Sequence, residues 1–592
     1  MSEINANAEL NEVDARKNDG NRESRLKIAM QPAGRLNRIN EWCSEWCSSI
    51  LVKETRQALK SRQFIWTYFV LLLSVGVWTV LGLTISNDGR GLDYRAGREL
   101  LFGFWVILGF PLGLIIPFGA YRSLAREFED GTIHLISITT MKPYQIVIGK
   151  FGSAILQMLI FLSVLAPCIL ITYMLRGISL EQIMMGLGIC VGGSVCLTIL
   201  GLFLAGAVRS RTLGVGVSVL FVLFLGWIYY GWWEISNELT YYGGRSSTDE
   251  PGFSIIVFSI VAFFGSTAGL LLVAATSQIS FPSNNRSTAI RIAMLVQQML
   301  FLAAAVMILP MVYNDRDEFC LAMSFVIGHY WLLMGFLMIG EQSKVSRRVQ
   351  RSLPRTIFSR SFFSLLMPGS GRGFLFAIAN VWACSLVLLL ACFFDEKLLS
   401  QEWIEQYSRM MRRPGTPMPP RKGMGIEVAI SAIVNCLFVT WFLSVAFLFA
   451  RRVFEKRVRD WNSGTGPLIS LIFGGLCVAL LTIGSFVAHF NFSRYEMRNE
   501  MSIWLIPNWY WSVTEISQGN TYFNYVVMEG AFFLLVMIVS LYAFLVAARD
   551  LMEKPIEVPK RVAIELERIQ PALAKGESID EIFGELTPGN EN

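Results

Sequence analysis

Long apolar blocks set the rhythm of this chain, in place of the two-residue or 3.6-residue alternation of a soluble strand or helix. They lie at about 64–85, 101–121, 148–175, 183–208, 212–233, 253–276, 291–313, 319–340, 374–394, 427–450, 466–489 and 525–547. A bilayer-crossing helix needs about 20 predominantly apolar residues, and each block is close to that length or longer. The pattern predicts an all-α, polytopic membrane protein of about twelve transmembrane helices. Outside the blocks the texture changes. Residues 1–40 are rich in Asn, Glu and Arg with almost no aromatics, the composition of a disordered tail. Across 41–62, Trp42, Trp46 and Ile50 recur every four residues among Lys53, Glu54, Arg56, Lys60 and Arg62. That spacing predicts an amphipathic interfacial helix before span 1, with Trp at headgroup level.

Composition agrees with the membrane assignment. The chain is 53% hydrophobic and 16% charged, where soluble proteins carry about 25% charged residues. A net charge of +6 is too small to argue for nucleic acid. The placement of the charge is more informative. Lys and Arg gather in alternate loops, and the positive-inside rule then places both termini in the cytoplasm, N-in and C-in. On that topology the cytoplasmic face carries 122–147, 277–290, 341–373, 451–465 and the tail 548–592. The outer face carries 395–425 and 490–524, too short for a domain of their own. Met1 to Ile50 has no apolar signal-peptide core, so span 1 is expected to act as the insertion signal. The ten cysteines lie mostly inside apolar blocks, which favours small core residues over disulfides.

One cytoplasmic loop stands out. Arg126-Glu127-Phe128-Glu129-Asp130-Gly131-Thr132 is followed by the apolar-spaced Ile133, Leu135, Ile136 and Ile138, then by Pro143 and Gly149-Lys150. Acidic residues suit the first turn of a helix, where the dipole is positive, so the run predicts a short helix across the cytoplasmic mouth. Gly131 and Thr132 would mark a break between two short helices. Pro143 would end the second of them, and Lys150 would anchor span 3 at the headgroups.

The set Arg126, Glu127, Glu129, Gly131, Thr132, Pro143, Gly149 and Lys150, between spans 2 and 3 and behind an interfacial helix, resembles the first cytoplasmic loop of ABC-2 type transporter permeases. Leu51 to Leu59 also looks like that family's entry into span 1. Where the family often has Pro after Thr, this chain has Thr140 after Thr139. The resemblance covers roughly the first half of the chain. It implies a coupling helix that docks on a separate ABC ATPase subunit through Arg126, Glu127, Glu129, Gly131 and Thr132. It also implies a homodimer or a second permease chain as partner, and a multi-pass location in the cell inner (plasma) membrane. Export of a substrate, powered by ATP hydrolysis on the partner, is the expected function. The alternative is a non-transporting membrane scaffold or assembly protein.

The domain organisation that follows is a tail at 1–40, a permease-like six-span domain at 41–276, a second six-span module at 277–547 and a cytoplasmic tail at 548–592. The loop 341–373 would be the second module's counterpart of 122–147, yet it lacks the acidic run, so this half reads as a second membrane module without its own coupling helix, or as a decayed copy of the first. Its Pro368-Gly369-Ser370-Gly371-Arg372-Gly373 reads as a flexible entry into span 9, because a phosphate-binding Gly-rich loop needs a preceding strand. Its arginines are expected at anionic headgroups. No Walker motif occurs, so the chain is not expected to be an enzyme or to need a cofactor. His134, His329 and His489 are too scattered for a metal site. His329 reads as a packed, hydrogen-bonded residue. The span interiors hold essentially no Asp, Glu, Lys or Arg, whereas proton-coupled carriers place such groups in the membrane. The Gly186, Gly188, Gly192 and Gly193 series in span 4 predicts close helix packing.

Overall fold

In a computed structural model of the chain, residues 49–85, 94–133, 141–174, 178–207, 211–241, 253–281, 284–309, 316–341, 346–351, 362–398, 426–457, 465–492, 507–517 and 523–552 are described, with isolated positions between some of them. Statements of absence below concern these residues. The readings of 1–48, of 134–140, of 399–425 and of 553–592 lie outside them.

Twelve helices are long and apolar enough to cross a membrane, and no strand occurs among the described residues. The chain is an all-α, multi-pass membrane protein. Span 1 is Arg62–Ile85. Span 2 is built from Tyr94–Phe110, a π turn at Pro111–Ile115 and Ile116–Glu129. Spans 3 to 6 are Pro143–Met174, Leu180–Ala207, Arg211–Tyr241 and Phe253–Ile279. Spans 7 to 12 are Ser287–Ile308, Arg316–Ile339, Ser370–Leu398, Ile426–Arg457, Thr465–Phe492 and Phe523–Leu551. A shorter helix, Ser49–Leu59, precedes span 1 and packs on span 3.

Several helices run beyond the apolar blocks. Span 2 continues to Glu129 and span 3 begins at Pro143. Polar residues such as Arg122 and Arg126 mark where a helix leaves hydrocarbon, not where it stops, because its backbone bonds are satisfied internally on either side. Pro143 therefore opens span 3, at the first helical position where proline costs no hydrogen bond; the helix expected to end before it falls on 134–140, outside the described residues.

Buried side chains form two clusters. One draws on spans 1 to 6, around Trp105, Leu112, Tyr121, Leu202 and Phe221. The other draws mainly on spans 7 to 12, around Trp331, Phe374, Phe438, Phe447 and Trp509. Spans 6 and 7 pack together, with Gln297 Nε2 donating to Thr267 Oγ1 at 2.8 Å and Phe263 stacked on Phe301. Large apolar side chains point outward from spans 1, 5, 11 and 12, among them Trp66, Phe69, Leu220, Trp227, Leu480 and Leu541. Continuous apolar surface on that scale suits lipid and not water.

The span 4 glycines behave differently from expectation. A Cβ on Gly186 would lie 2.6 Å from Trp105, so that position does permit close packing, but Gly188, Gly192 and Gly193 have open space. The close approach comes later, at Gly201, where a Cβ would meet the Pro117 carbonyl at 2.9 Å. The cysteine reading also needs one correction. Cys168, Cys190, Cys196, Cys384, Cys436 and Cys477 are free, but Cys320, near the start of span 8, is disulfide-bonded.

Candidate functional site: the ion cluster joining spans 2 and 3

The end of span 2 is a helix C-terminus. The last helical residue is Glu129, Asp130 caps it, and Gly131 follows at φ +68. The Asp130 N–H donates to the Arg126 carbonyl at 2.8 Å and the Gly131 N–H to that of Phe128 at 3.4 Å. A left-handed residue at this position is the usual glycine stop. Helical backbone resumes at Thr132 and Ile133, so a break is present, but it lies at Asp130 and Gly131 and Thr132 already belongs to the helical backbone beyond it. Glu127 and Glu129 therefore sit at the negative end of a dipole, opposite to the first-turn placement expected of them. Each such contact costs about 0.3–1 kcal/mol unless a cation offsets it.

Lys150 is that cation. Its Nζ lies 2.9 Å from Glu127 Oε1 and 3.0 Å from Glu54 Oε1, and it also donates to the Ser123 carbonyl at 3.4 Å. The lysine is 2% exposed and the two carboxylates 13% and 16%. It does not reach for headgroups. It stands about 10 Å inside the start of span 3, at 1.5 Å per residue from Pro143, and ties that span to span 2 and to the pre-span helix. Leu51 covers Gly152, where a Cβ would meet its side chain at 2.8 Å, so the pre-span helix lies flush on span 3.

The five residues predicted from the loop are divided by the fold. Glu127 faces inward on Lys150. Arg126, Glu129 and Thr132 are exposed, with Asp130 beside them, while Leu124 and Ile133 are buried and hold the turn down. Gly131 forms the turn itself. One ammonium between two carboxylates leaves an excess negative charge, and Glu127 Oε2 is buried with no hydrogen-bond partner among the described residues.

Behind this cluster span 2 contains a mechanical weak point. The π turn at Pro111–Ile115 starts on a proline, and Pro117 follows one turn later. Such turns interrupt the regular ladder and mark bends. Ser194 of span 4 donates to the Leu112 carbonyl at 2.6 Å, satisfying an acceptor in the interrupted stretch. Below it, Gly201 lets span 4 press on Pro117. The Tyr121 hydroxyl donates to Gly214 O at 3.2 Å and lies 3.0 Å from Ser218 Oγ, linking the lower half of span 2 to span 5.

The second module carries its own buried ions at the same ends of its helices. Arg291 of span 7, fully buried, pairs with Glu341 at 2.7 Å just past span 8. It also donates to the carbonyls of Leu365 and Met367 at 2.5 Å each. Glu341 accepts from Ser287 Oγ and from the Gly369 N–H, both at 2.9 Å. Arg372 donates to Pro368 O and Asp550 O, and Arg451 pairs with Asp550 at 3.2 Å. These findings revise two expectations. Basic residues do lie inside helix ends, buried and paired. The Gly369–Gly373 entry is also tightly held: Gly371 packs on Asp550 and Gly373 on Met338 and Arg291. Of the described arginines in this loop, Arg372 is buried and Arg347, Arg348 and Arg351 are exposed.

At the other ends of the helices, Trp509–Ser517 is a short helix packed against span 10. Trp509 Nε1 donates to Asn435 Oδ1 at 2.8 Å, and Asn435 Nδ2 donates to the Ser324 hydroxyl and carbonyl, each at 2.8 Å. Asn508 Nδ2 donates to Thr482 O at 3.1 Å. His329 stacks on Trp509 at 4.5 Å between ring centroids and hydrogen-bonds to Tyr510; it is hydrogen-bonded as expected, but it is exposed and not buried in the core. His329 and Asn435 lie well within their spans. Part of the 490–524 connection thus enters the helical bundle, as buried backbone can where neighbouring polar side chains satisfy it.

Sequence reasoning found the loop and missed Glu54, Ser194 and the π turn. The available signals were the single acid of the Ser49–Leu59 helix, a lysine inside an apolar run, and two prolines six residues apart in span 2. Comparison with known proteins returns no matching family model, no matching curated protein and no matching solved structure.

Proposed function

We propose that this chain is the membrane-embedded permease subunit of an ABC-2 type transporter, with ATP hydrolysis carried by a separate subunit that docks at the exposed turn Arg126, Glu129, Asp130 and Thr132. The observation that carries the reading is the Lys150 cluster. It fastens the turn after span 2 to the pre-span helix and to span 3 through two ion pairs. A push on the turn would move the lower half of span 2 about the π turn, and Ser194 and Tyr121 would pass that motion to spans 4 and 5. Charges paired this way move as one body, because separating them in a dry site costs several kcal/mol.

The proposed orientation is N-in and C-in, in the inner (plasma) membrane, with the cluster facing the cytoplasm. The loop charges support it. So does the disulfide at Cys320, which falls at the opposite ends of the helices, where an oxidising compartment would lie. The test is affinity capture of the tagged chain from native membranes in mild detergent. Recovery of an ATP-hydrolysing partner in near-stoichiometric amount supports the proposal. Recovery of none, from preparations that keep other membrane complexes intact, transfers the chain to the scaffold class.

A further inference from the structure

The second six spans are unexplained by the loop resemblance, and their packing supplies an explanation. In the first module span 2 packs on spans 3, 4 and 5, span 3 on 4 and 6, span 4 on 5 and 6, and span 1 on 3. In the second module span 8 packs on spans 9, 10 and 11, span 9 on 10 and 12, span 10 on 11 and 12, and span 7 on 9. Each of these pairs has its counterpart six spans away. Some follow from chain order alone. The pairs 1 with 3, 2 with 4, 2 with 5, 3 with 6 and 4 with 6 do not, and all five recur. Spans 5 and 6 are consecutive yet do not pack along their lengths among the described residues, and the same holds for 11 and 12. The first module has one further extensive pair, spans 1 and 2, where Trp78 donates to Leu100 O. Its counterpart is slighter, a bond from Tyr330 in span 8 to Gln297 Oε1 in span 7.

The buried carboxylates correspond as well, although their cations stand on different spans. Glu127 at the end of span 2 binds Lys150 of span 3, and Glu341 just past span 8 binds Arg291 of span 7, the counterpart of span 1. Both also lie against the start of the following span, Glu127 through Lys150 and Glu341 through the Gly369 N–H. Six is an even number of crossings, so a tandem copy enters the membrane in the same sense as the original, and both carboxylates stand on one face. Parallel repeats of this kind are a recurrent way of building transporters.

We infer that spans 7–12 are a structural copy of spans 1–6, and that Ser346–Arg351, beyond Glu341, is a second docking face for a motor subunit with an acidic contact surface. One copy of the chain would then supply both membrane halves that a two-subunit ATPase engages. The inference rests on the permease reading for the identity of the partner. Val349 is buried and pins this short turn, while Arg347, Arg348 and Arg351 are exposed and Arg348 donates to Asn284 Oδ1 at 3.1 Å. The first face displays Glu129 and Asp130 with Arg126, the second three arginines. The two faces differ in charge and call for unlike contacts.

Native mass spectrometry of the tagged chain, captured with its partners in lipid nanodiscs, tests this. The expected complex holds one copy of the chain and two ATPase subunits. R347A/R348A/R351A, all at exposed positions, should lower the complex from two ATPase subunits to one while the chain stays monodisperse. Two copies of the chain with two ATPase subunits would overturn the inference and leave the permease reading intact. An unchanged ratio in the triple variant would overturn the second docking face, leaving those arginines to lipid headgroups. Absence of any ATPase would overturn the permease reading and the docking face with it.

Discussion

Replacing Lys150 is the most informative single perturbation of the first module. Lys150→Met keeps most of the aliphatic stem, so span 3 loses little packing, but it leaves Glu54 and Glu127 facing each other with no ammonium between them. The lysine is 2% exposed and its two contacts are 2.9 and 3.0 Å, so neither carboxylate is solvated enough to recover its hydration in place. Removing one partner of a buried pair costs about 3–5 kcal/mol. At 1.4 kcal/mol per tenfold that is roughly two to three and a half orders of magnitude in a local opening equilibrium. The assay is amide hydrogen exchange in nanodiscs, read over 50–58 and 120–130. Exchange there should accelerate by about that factor, up to the limit set by global unfolding, while the spans 7–12 core stays protected. The triple variant Glu54→Gln, Lys150→Met, Glu127→Gln removes the charges together and should recover most of the protection, since a buried pair replaced as a whole is often near neutral. If Lys150→Met leaves exchange within threefold of wild type at both segments, the cluster is not what fastens the turn to the pre-span helix.

Three further outcomes follow from the geometry. Gly131→Ala places a Cβ at φ +68 and should cost about 1–2 kcal/mol, seen as faster proteolysis at the turn with the spans intact. Gly201→Ala pushes against the Pro117 carbonyl; a destabilisation of about 1–3 kcal/mol and a larger loss of ATP-coupled transport are expected, whereas Gly192→Ala should be silent in both measurements. Asn435→Ala removes the acceptor of Trp509 and the donor to Ser324. It should make a cysteine placed at Ser512, buried beside Trp509, several-fold more reactive to an impermeant thiol reagent, and unchanged labelling would show that the Trp509–Ser517 helix is held by other contacts.

The membrane fold was legible because hydrocarbon imposes a length and a composition on every crossing, and each of the twelve blocks coincides with a helix. The ends were less legible. A helix does not need to stop where the bilayer stops, and Arg122 to Glu129 looked like loop only because they are polar. Lys150 was misplaced for a related reason: snorkelling is the default for a lysine near an interface, and nothing local announced Glu54, about 100 residues earlier, as its partner. The proposed duplication leaves little trace in the sequence because apolar residues exchange freely on lipid-facing surfaces, so neighbour relationships can persist after sequence likeness has gone. The Asn435–Trp509 bond joins residues 74 apart, a distance at which sequence pattern carries no information.

The central claim is that the turn after span 2 receives a motor subunit, and a photo-crosslinking amino acid at Glu129, Thr132 or Glu127 tests it most directly. Glu129 and Thr132 are exposed, whereas Glu127 faces Lys150. The account predicts crosslinks from Glu129 and Thr132 to an ATP-binding protein, with yields that change on adding nucleotide, and only intramolecular products from Glu127. Crosslinks from all three positions to lipid alone, or to proteins that bind no nucleotide, would contradict it.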